Sequence, residues 1–321
     1  MGPIQQILAI IDPTTRAQPC VNKAARLAEA LHAELELFIC DTLSELRATR
    51  FTAAHVYEMA LEERRAQHKG QLEALAAPLR QKGLKVSTDV AFEDSLHEGI
   101  VQKVRAVGAD LVFKDTHYHG PIRRALFTNT DWHLIRECPA PLLLTKPAVW
   151  RALVRFAAAV DPGHVDDKPA SLDRELLATT EQLASALHGE ARAVHVFNPL
   201  PLLASMAPVG AATGGASFAD GELLVKMREA HERDFDALIA AFPAFAGRAD
   251  VIDGAPPTVL PDYVLDKETD VVVMGAVARR ALRRLMLGST AERLLDRLPC
   301  DILVMKPKRL FEEMLEVKPA A

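Results

Sequence analysis

Residues 111–147, LVFKDTHYHGPIRRALFTNTDWHLIRECPAPLLLTKP, and residues 271–307, VVVMGAVARRALRRLMLGSTAERLLDRLPCDILVMKP, align without a gap at a constant offset of 160. Val112, Arg123, Arg124, Thr130, Leu134, Pro139, Leu143, Lys146 and Pro147 meet identical residues across that offset. Self-similarity over such a length marks one structural unit written twice. The opposite ends of the two halves agree. ILAIIDP near the amino terminus and FAAAVDP, ending at Asp161 and Pro162, both read as a short apolar strand stopped by Asp-Pro. Proline fixes its own φ and biases the residue before it away from helix, so a turn follows each strand.

Between these ends, apolar runs alternate with helical periodicity. In the first half the spacing predicts a helix over 22–31, a strand over 34–40, a long polar helix over about 52–82, a strand in LKVSTDVAF, and a helix stopped by Gly108. The second half repeats the series through FAAAV, RAVHVF, ADVID, VVVMG and DILVMKP. Alternating strands and helices imply right-handed crossovers and parallel sheets. The unbroken apolar character of VVVM and DILVM suits strands covered on both sides. The predicted fold is α/β: two tandem domains, each a doubly wound five-stranded parallel sheet with helices on both faces. The domains are placed at 1–149 and 150–310, with a tail at 311–321. Ligands of such sheets bind beyond the carboxyl ends of the strands, where the strand order reverses.

The totals narrow the function. A chain of 321 residues with 49% hydrophobic and 25% charged residues has material for two cores, and its formal net charge of −5 argues against a nucleic-acid partner. The amino-terminal MGPIQQILAIIDP lacks the features of an export signal, and no apolar run reaches membrane-spanning length, so a cytoplasmic location without a membrane partner is expected. Cys20, Cys40, Cys138 and Cys300 have no CxxC spacing and read as buried reduced thiols.

Gly275 closes an apolar strand, and Gly288 stands before Ser289-Thr290-Ala291-Glu292, which has the form of a helix capping box. Glycine allows close backbone approach to a ligand, and the free N–H groups of a helix start favour an anion, most simply a phosphate. The same residues serve equally as a turn glycine and a hydroxyl that satisfies its own helix end. Taken alone, the spacing leaves both readings standing.

The segment resembles the nucleotide-binding motif of the universal stress protein family: Gly, two residues, Gly, nine residues, Gly, then Ser or Thr. Here Gly275 and Gly288-Ser289 keep the spacing, while Ala278 replaces the middle glycine. The resemblance covers nearly the whole chain and is to tandem two-domain members. It implies a stress-response regulatory protein that binds ATP or a related adenine nucleotide in its second domain. The base would lie against Asp161, Pro162 and Val196, and the ribose and phosphates against Gly275, Ala278, Gly288, Ser289 and Thr290. It also implies that the two domains pair with each other, with pairing of two whole chains left open. In the first half, Asp115, Tyr118, Thr128 and Asn129 stand at the motif positions. A carboxylate at Asp115 would repel phosphate, so no ATP is expected there.

Other candidates carry less. Arg279, Arg280, Arg283 and Arg284 could neutralise phosphates, but Arg123 and Arg124 recur in the half whose motif has decayed. His117 and His119 with Asp115 lack a fourth ligand, so no metal set is assigned, and His133 is read as packing. Residues 200–224, LPLLASMAPVGAATGGASFADGELL, read as a loop, and their apolar content keeps a carrier of an acyl ligand as the alternative function. No catalytic residue is assigned, because GxxxxGK[ST], G-x-S-x-G and HExxH are all absent. Weak ATP hydrolysis is the third reading.

Overall fold

The computed structural model describes residues 2–42, 54–118, 125–162, 171–200, 221–276 and 294–307. In the first half, β1 (Gln6–Ile10), α1 (Pro19–Leu31), β2 (Glu34–Asp41), α2 (Ala54–Gln81), β3 (Val86–Phe92), α3 (Leu96–Val107) and β4 (Leu111–Asp115) follow the predicted alternation. A two-residue pair, β5 (His117–Tyr118) and β6 (Ala125–Leu126), precedes α4 (Asn129–Glu137) and β7 (Leu142–Thr145). The second half runs β8 (Arg155–Val160), α5 (Ser171–Ala186), β9 (Glu190–Phe197), α6 (Gly221–Ile239), β10 (Ala249–Asp253), α7 (Pro256–Asp266), β11 (Val271–Gly275) and β12 (Asp301–Met305). Gly108 ends α3 in the left-handed region at φ 60°, the conformation that favoured glycine at this stop.

Each half is a parallel sheet with the same order, third, second, first, fourth, fifth, and the order reverses between the first and fourth strands. The halves do not form separate sheets. β7 and β12 pair antiparallel, with Ile302, Leu303 and Val304 opposite Leu144, Leu143 and Leu142, making one ten-stranded sheet. Strand alternation sends Ile7, Ala9, Leu35 and Leu37 to one face, where they join Phe156, Leu172 and Phe235 of the second half. Leu8, Ile10 and Phe38 go to the other, with Val194, Leu260 and Ile302. Each core therefore runs across the join. The strands are buried on both faces, as their unbroken apolar runs required. No helix among the described residues is long and apolar enough to cross a membrane.

The join carries buried charge. The Lys23 ammonium on α1 lies 2.7 Å from the Asp301 carboxylate and donates to the Lys146 carbonyl at 2.7 Å. Asp301 also accepts the Lys146 N–H and the Trp150 indole N–H, each at 2.7 Å. Lys146 and Lys306, equivalent under the offset of 160, reach reciprocally into the other half. Lys146 Nζ donates to the Leu298 carbonyl, and Lys306 Nζ donates to the Cys138 carbonyl at 2.7 Å. Residues 298 and 138 are equivalent in turn, so the contact has the self-complementary form of a two-fold interface.

Burial pushes the Lys306 ammonium down to about 8. The unfolded chain then holds a proton that the folded chain has released between about pH 8 and the ordinary lysine value near 10.4, so stability gained from this residue rises with pH across that window. Denaturant titrations between pH 7.5 and pH 10 should show wild type gaining stability relative to Lys306→Met, approaching about 3 kcal/mol. A pH-independent difference between the two proteins contradicts the assignment.

Candidate functional site

The strand order places the carboxyl ends of β1 and β4 beside one crevice, and those of β8 and β11 beside another. Because the halves join antiparallel, the two crevices open on opposite edges of the sheet.

In the first half this edge holds a cavity of about 290 Å³ walled by Ile10, Ile11, Pro13, Cys40, Leu96 and Ile100, with Asp12, Lys114, Asp115 and Thr128 supplying polar atoms. Asp12 Oδ1 accepts the Thr14 N–H at 2.8 Å, which shapes the turn after β1. Asp115 does more than repel phosphate. Its Oδ1 accepts the Cys20 N–H at 2.9 Å in the first turn of α1, and also the Thr145 hydroxyl, so the carboxylate caps that helix. Burial raises the Asp115 carboxyl above the ordinary carboxylate range, against the opposing effect of those hydrogen bonds.

The start of α4 is closed by its own side chains. Thr128 Oγ1 accepts the Asp131 N–H at 3.2 Å, and Asp131 Oδ2 accepts the Thr128 N–H at 2.7 Å, a reciprocal capping box. Asp131 is fully buried, and the Lys114 ammonium lies 2.7 Å from its other oxygen. A helix start, a buried carboxylate and a lysine thus form a closed set. The chain's own Asp131 occupies the position that favours an anion.

In the second half, Asp161 and Pro162 stand just past β8, both half-buried. Val196, also half-buried, sits on β9 opposite Ile252 of β10. The Asp161 N–H donates to Asp173 Oδ1 at 3.2 Å in the first turn of α5. Next to Asp161 lies a pair of histidines that the sequence reading did not single out. Buried His195 has Nδ1 3.1 Å from the Val160 carbonyl and 3.7 Å from Asp161 Oδ1, and its Nε2 lies 3.0 Å from His231 Nδ1 on α6. The ring planes are 12° apart with centroids 5.2 Å apart, the geometry of an edge-to-edge hydrogen bond. With His195 Nδ1–H donating to the carbonyl, its Nε2 accepts from His231. The signal for it in the sequence was one basic residue inside the apolar strand RAVHVF.

Gly275 ends β11 at the crevice, but its φ lies outside the left-handed region. A Cβ there would stand 2.7 Å from Cδ2 of fully buried Leu172, so packing of α5 against β11 already requires glycine. Ala278, Gly288, Ser289 and Thr290 lie outside the described residues, as do Arg279, Arg280, Arg283, Arg284 and residues 201–220. The structure therefore brings together Asp161, Pro162 and Gly275 at one strand edge, with Val196 on the neighbouring strand.

The four cysteines are free and buried. Burial pushes the Cys40 and Cys300 thiols up to about 12, which leaves no thiolate for nucleophilic work near neutrality.

A tandem repeat with a crevice at the switch point of each half defines a class of two-domain α/β proteins. The model of the universal stress protein family matches residues 3–146 and again 164–306, and the chain belongs to that family. It resembles universal stress protein E: that of Salmonella typhi is 29% identical over 315 residues, covering 96% of both chains, and that of Escherichia coli is 28% identical over 96% of this chain and 95% of the relative. Among solved structures, a putative universal stress protein from Pseudomonas aeruginosa UCBPP-PA14 superposes with a TM-score of 0.75 at 25% identity, covering 98% of this chain and 97% of the other. A functionally unknown protein from Pseudomonas aeruginosa PAO1 gives the same score at 24% identity, with 98% and 96% covered, and shares the fold.

The packing role of Gly275 can be separated from any ligand role. Gly275→Ala should lower stability in urea titrations by about 1–3 kcal/mol through overpacking, and in a Leu172→Ala background, itself destabilised by its cavity, the same change should cost less. A Gly275→Ala protein as stable as wild type contradicts the close approach.

Proposed function

We propose that this stress-response protein is a regulatory module that holds ATP or a related adenine nucleotide in its second half, with the first half acting as a built-in pairing partner. The observation that carries the reading is the internal ion set of the first half. There, Lys114, Asp115 and Thr128 line the crevice, and Asp131 closes the start of α4 with the chain's own charge. At the same offset the second half has Met274, Gly275, Gly288 and Ala291, which removes the carboxylates, the lysine and the capping threonine. A helix start preceded by glycine, with Ala291 where the first half has Asp131, favours an external anion. Asp161, Pro162 and Val196 would then flank the base, and Gly275, Gly288, Ser289 and Thr290 the ribose and phosphates. Ala278 adds one methyl where the family motif has glycine, which weakens a close contact without adding charge.

Titration with a fluorescent ATP analogue tests the reading. Gly288→Val should weaken binding by roughly a hundredfold or more, about 3 kcal/mol of lost contact, while Thr128→Val leaves it unchanged. Equal binding by wild type and Gly288→Val overturns the proposal. Mass spectrometry of material released from the purified chain separates the carrier alternative, since an acyl compound in place of a nucleotide favours that reading. ATP turnover indistinguishable between wild type and Gly288→Val dismisses hydrolysis by this site.

A further inference from the structure

We infer that His97, His133 and Glu137 form a binding site for a divalent transition-metal ion of the zinc, cobalt or nickel type, which clamps α3 to α4 beside the first-half cavity. His97 is the second residue of α3, and His133 and Glu137 lie one turn apart on α4. An i, i+4 pair puts both side chains on one helix face. The Glu137 carboxylate divides its oxygens between the rings, with Oε1 3.1 Å from His133 Nδ1 and Oε2 3.8 Å from His97 Nε2. The imidazoles stack at 3.9 Å with planes 15° apart. One ligand atom from each residue falls within 4.8 Å of the other two.

Three features point to a cation of this class. First, His97 Nδ1 lies 3.0 Å from the Ser95 hydroxyl. When Nδ1–H donates there, Nε2 is left free to bind a metal, and an outer partner of this kind orients metal-bound histidines. Second, each of the stacked rings turns one nitrogen toward the same carboxylate, so a single ion can reach all three groups. Third, Glu137 is the last residue of α4, where the helix dipole favours positive charge. Two imidazoles and one carboxylate suit zinc-like ions rather than magnesium or calcium. The side chains are 21%, 30% and 48% exposed, which leaves coordination positions for water.

The second half shows what this junction does without such residues. Positions 97 and 137 correspond to Pro257 and Arg297, and there Arg297 Nη1 donates to the Pro257 carbonyl at 3.3 Å. A direct hydrogen bond joins the same two helical segments. In the first half the ion replaces it, and Leu96 and Thr130, neighbours of the ligands in sequence, line the cavity with Asp12 and Asp115.

The full-length chain, stripped with a chelator, should be titrated with cobalt(II) followed by visible absorption, and with zinc followed by calorimetry and thermal unfolding. One ion per chain should bind at this site and raise the melting temperature. His97→Ala, His133→Ala and Glu137→Gln should each weaken binding by at least roughly the tenfold that loss of an outer partner causes, and Ser95→Ala by about that amount. His195→Ala should leave binding unchanged. Absence of a cobalt band at millimolar metal overturns the inference, as does binding that persists in His133→Ala and Glu137→Gln or disappears in His195→Ala.

Discussion

The antiparallel pairing of β7 with β12 is the contact on which the arrangement of the whole molecule depends. Each strand would otherwise be the edge of a five-stranded sheet, presenting unpaired N–H and C=O groups. Joining them makes both cores continuous and seats Lys23, Lys146, Asp301 and Lys306 in a dry interior, where every charge needs a partner. Those partners come from the opposite half. The two-fold character of the join also turns the switch-point crevices of the halves away from each other. Any coupling between the two crevices must pass through the shared cores and the lysine contacts.

The halves differ in charge at the end of the fourth strand and at the start of the helix that follows. In the first, Asp131 caps α4, Lys114 neutralises it, and Asp115 spends an oxygen on the start of α1. These interactions stabilise helix ends that a ligand would otherwise satisfy. The first half thus keeps its fold and its cavity with Asp115 and Thr128, two of its departures from the family motif, bonded within the chain. The second half has the uncharged residues Met274, Gly275 and Ala291 at the corresponding positions.

The repeat, the strand order within each half and the helix stop at Gly108 were legible because they depend on local periodicity and on proline and glycine geometry. The contacts that join the halves were not. Lys23 and Asp301 are far apart in sequence, and nothing in either neighbourhood signals that they meet. Asp115 was read for its charge alone, since its capping of α1 needs the packing of β4 against α1. Gly275 was read for ligand access, while the side chain that requires it, Leu172, comes from the preceding crossover helix. His133 was read as packing and does pack, against His97, but its Glu137 partner gives the pair a chemical capacity that neither segment carries alone. Hydrophobic pattern reports which face is buried and is silent on which polar groups converge.

One nucleotide per chain is proposed because Asp131 caps α4 in the first half while Ala291 stands at the aligned position of the second. Native mass spectrometry of the full chain with increasing adenine nucleotide measures it directly. Saturation at a single nucleotide per chain is the predicted result. Two nucleotides per chain, or none at millimolar concentration, would contradict it.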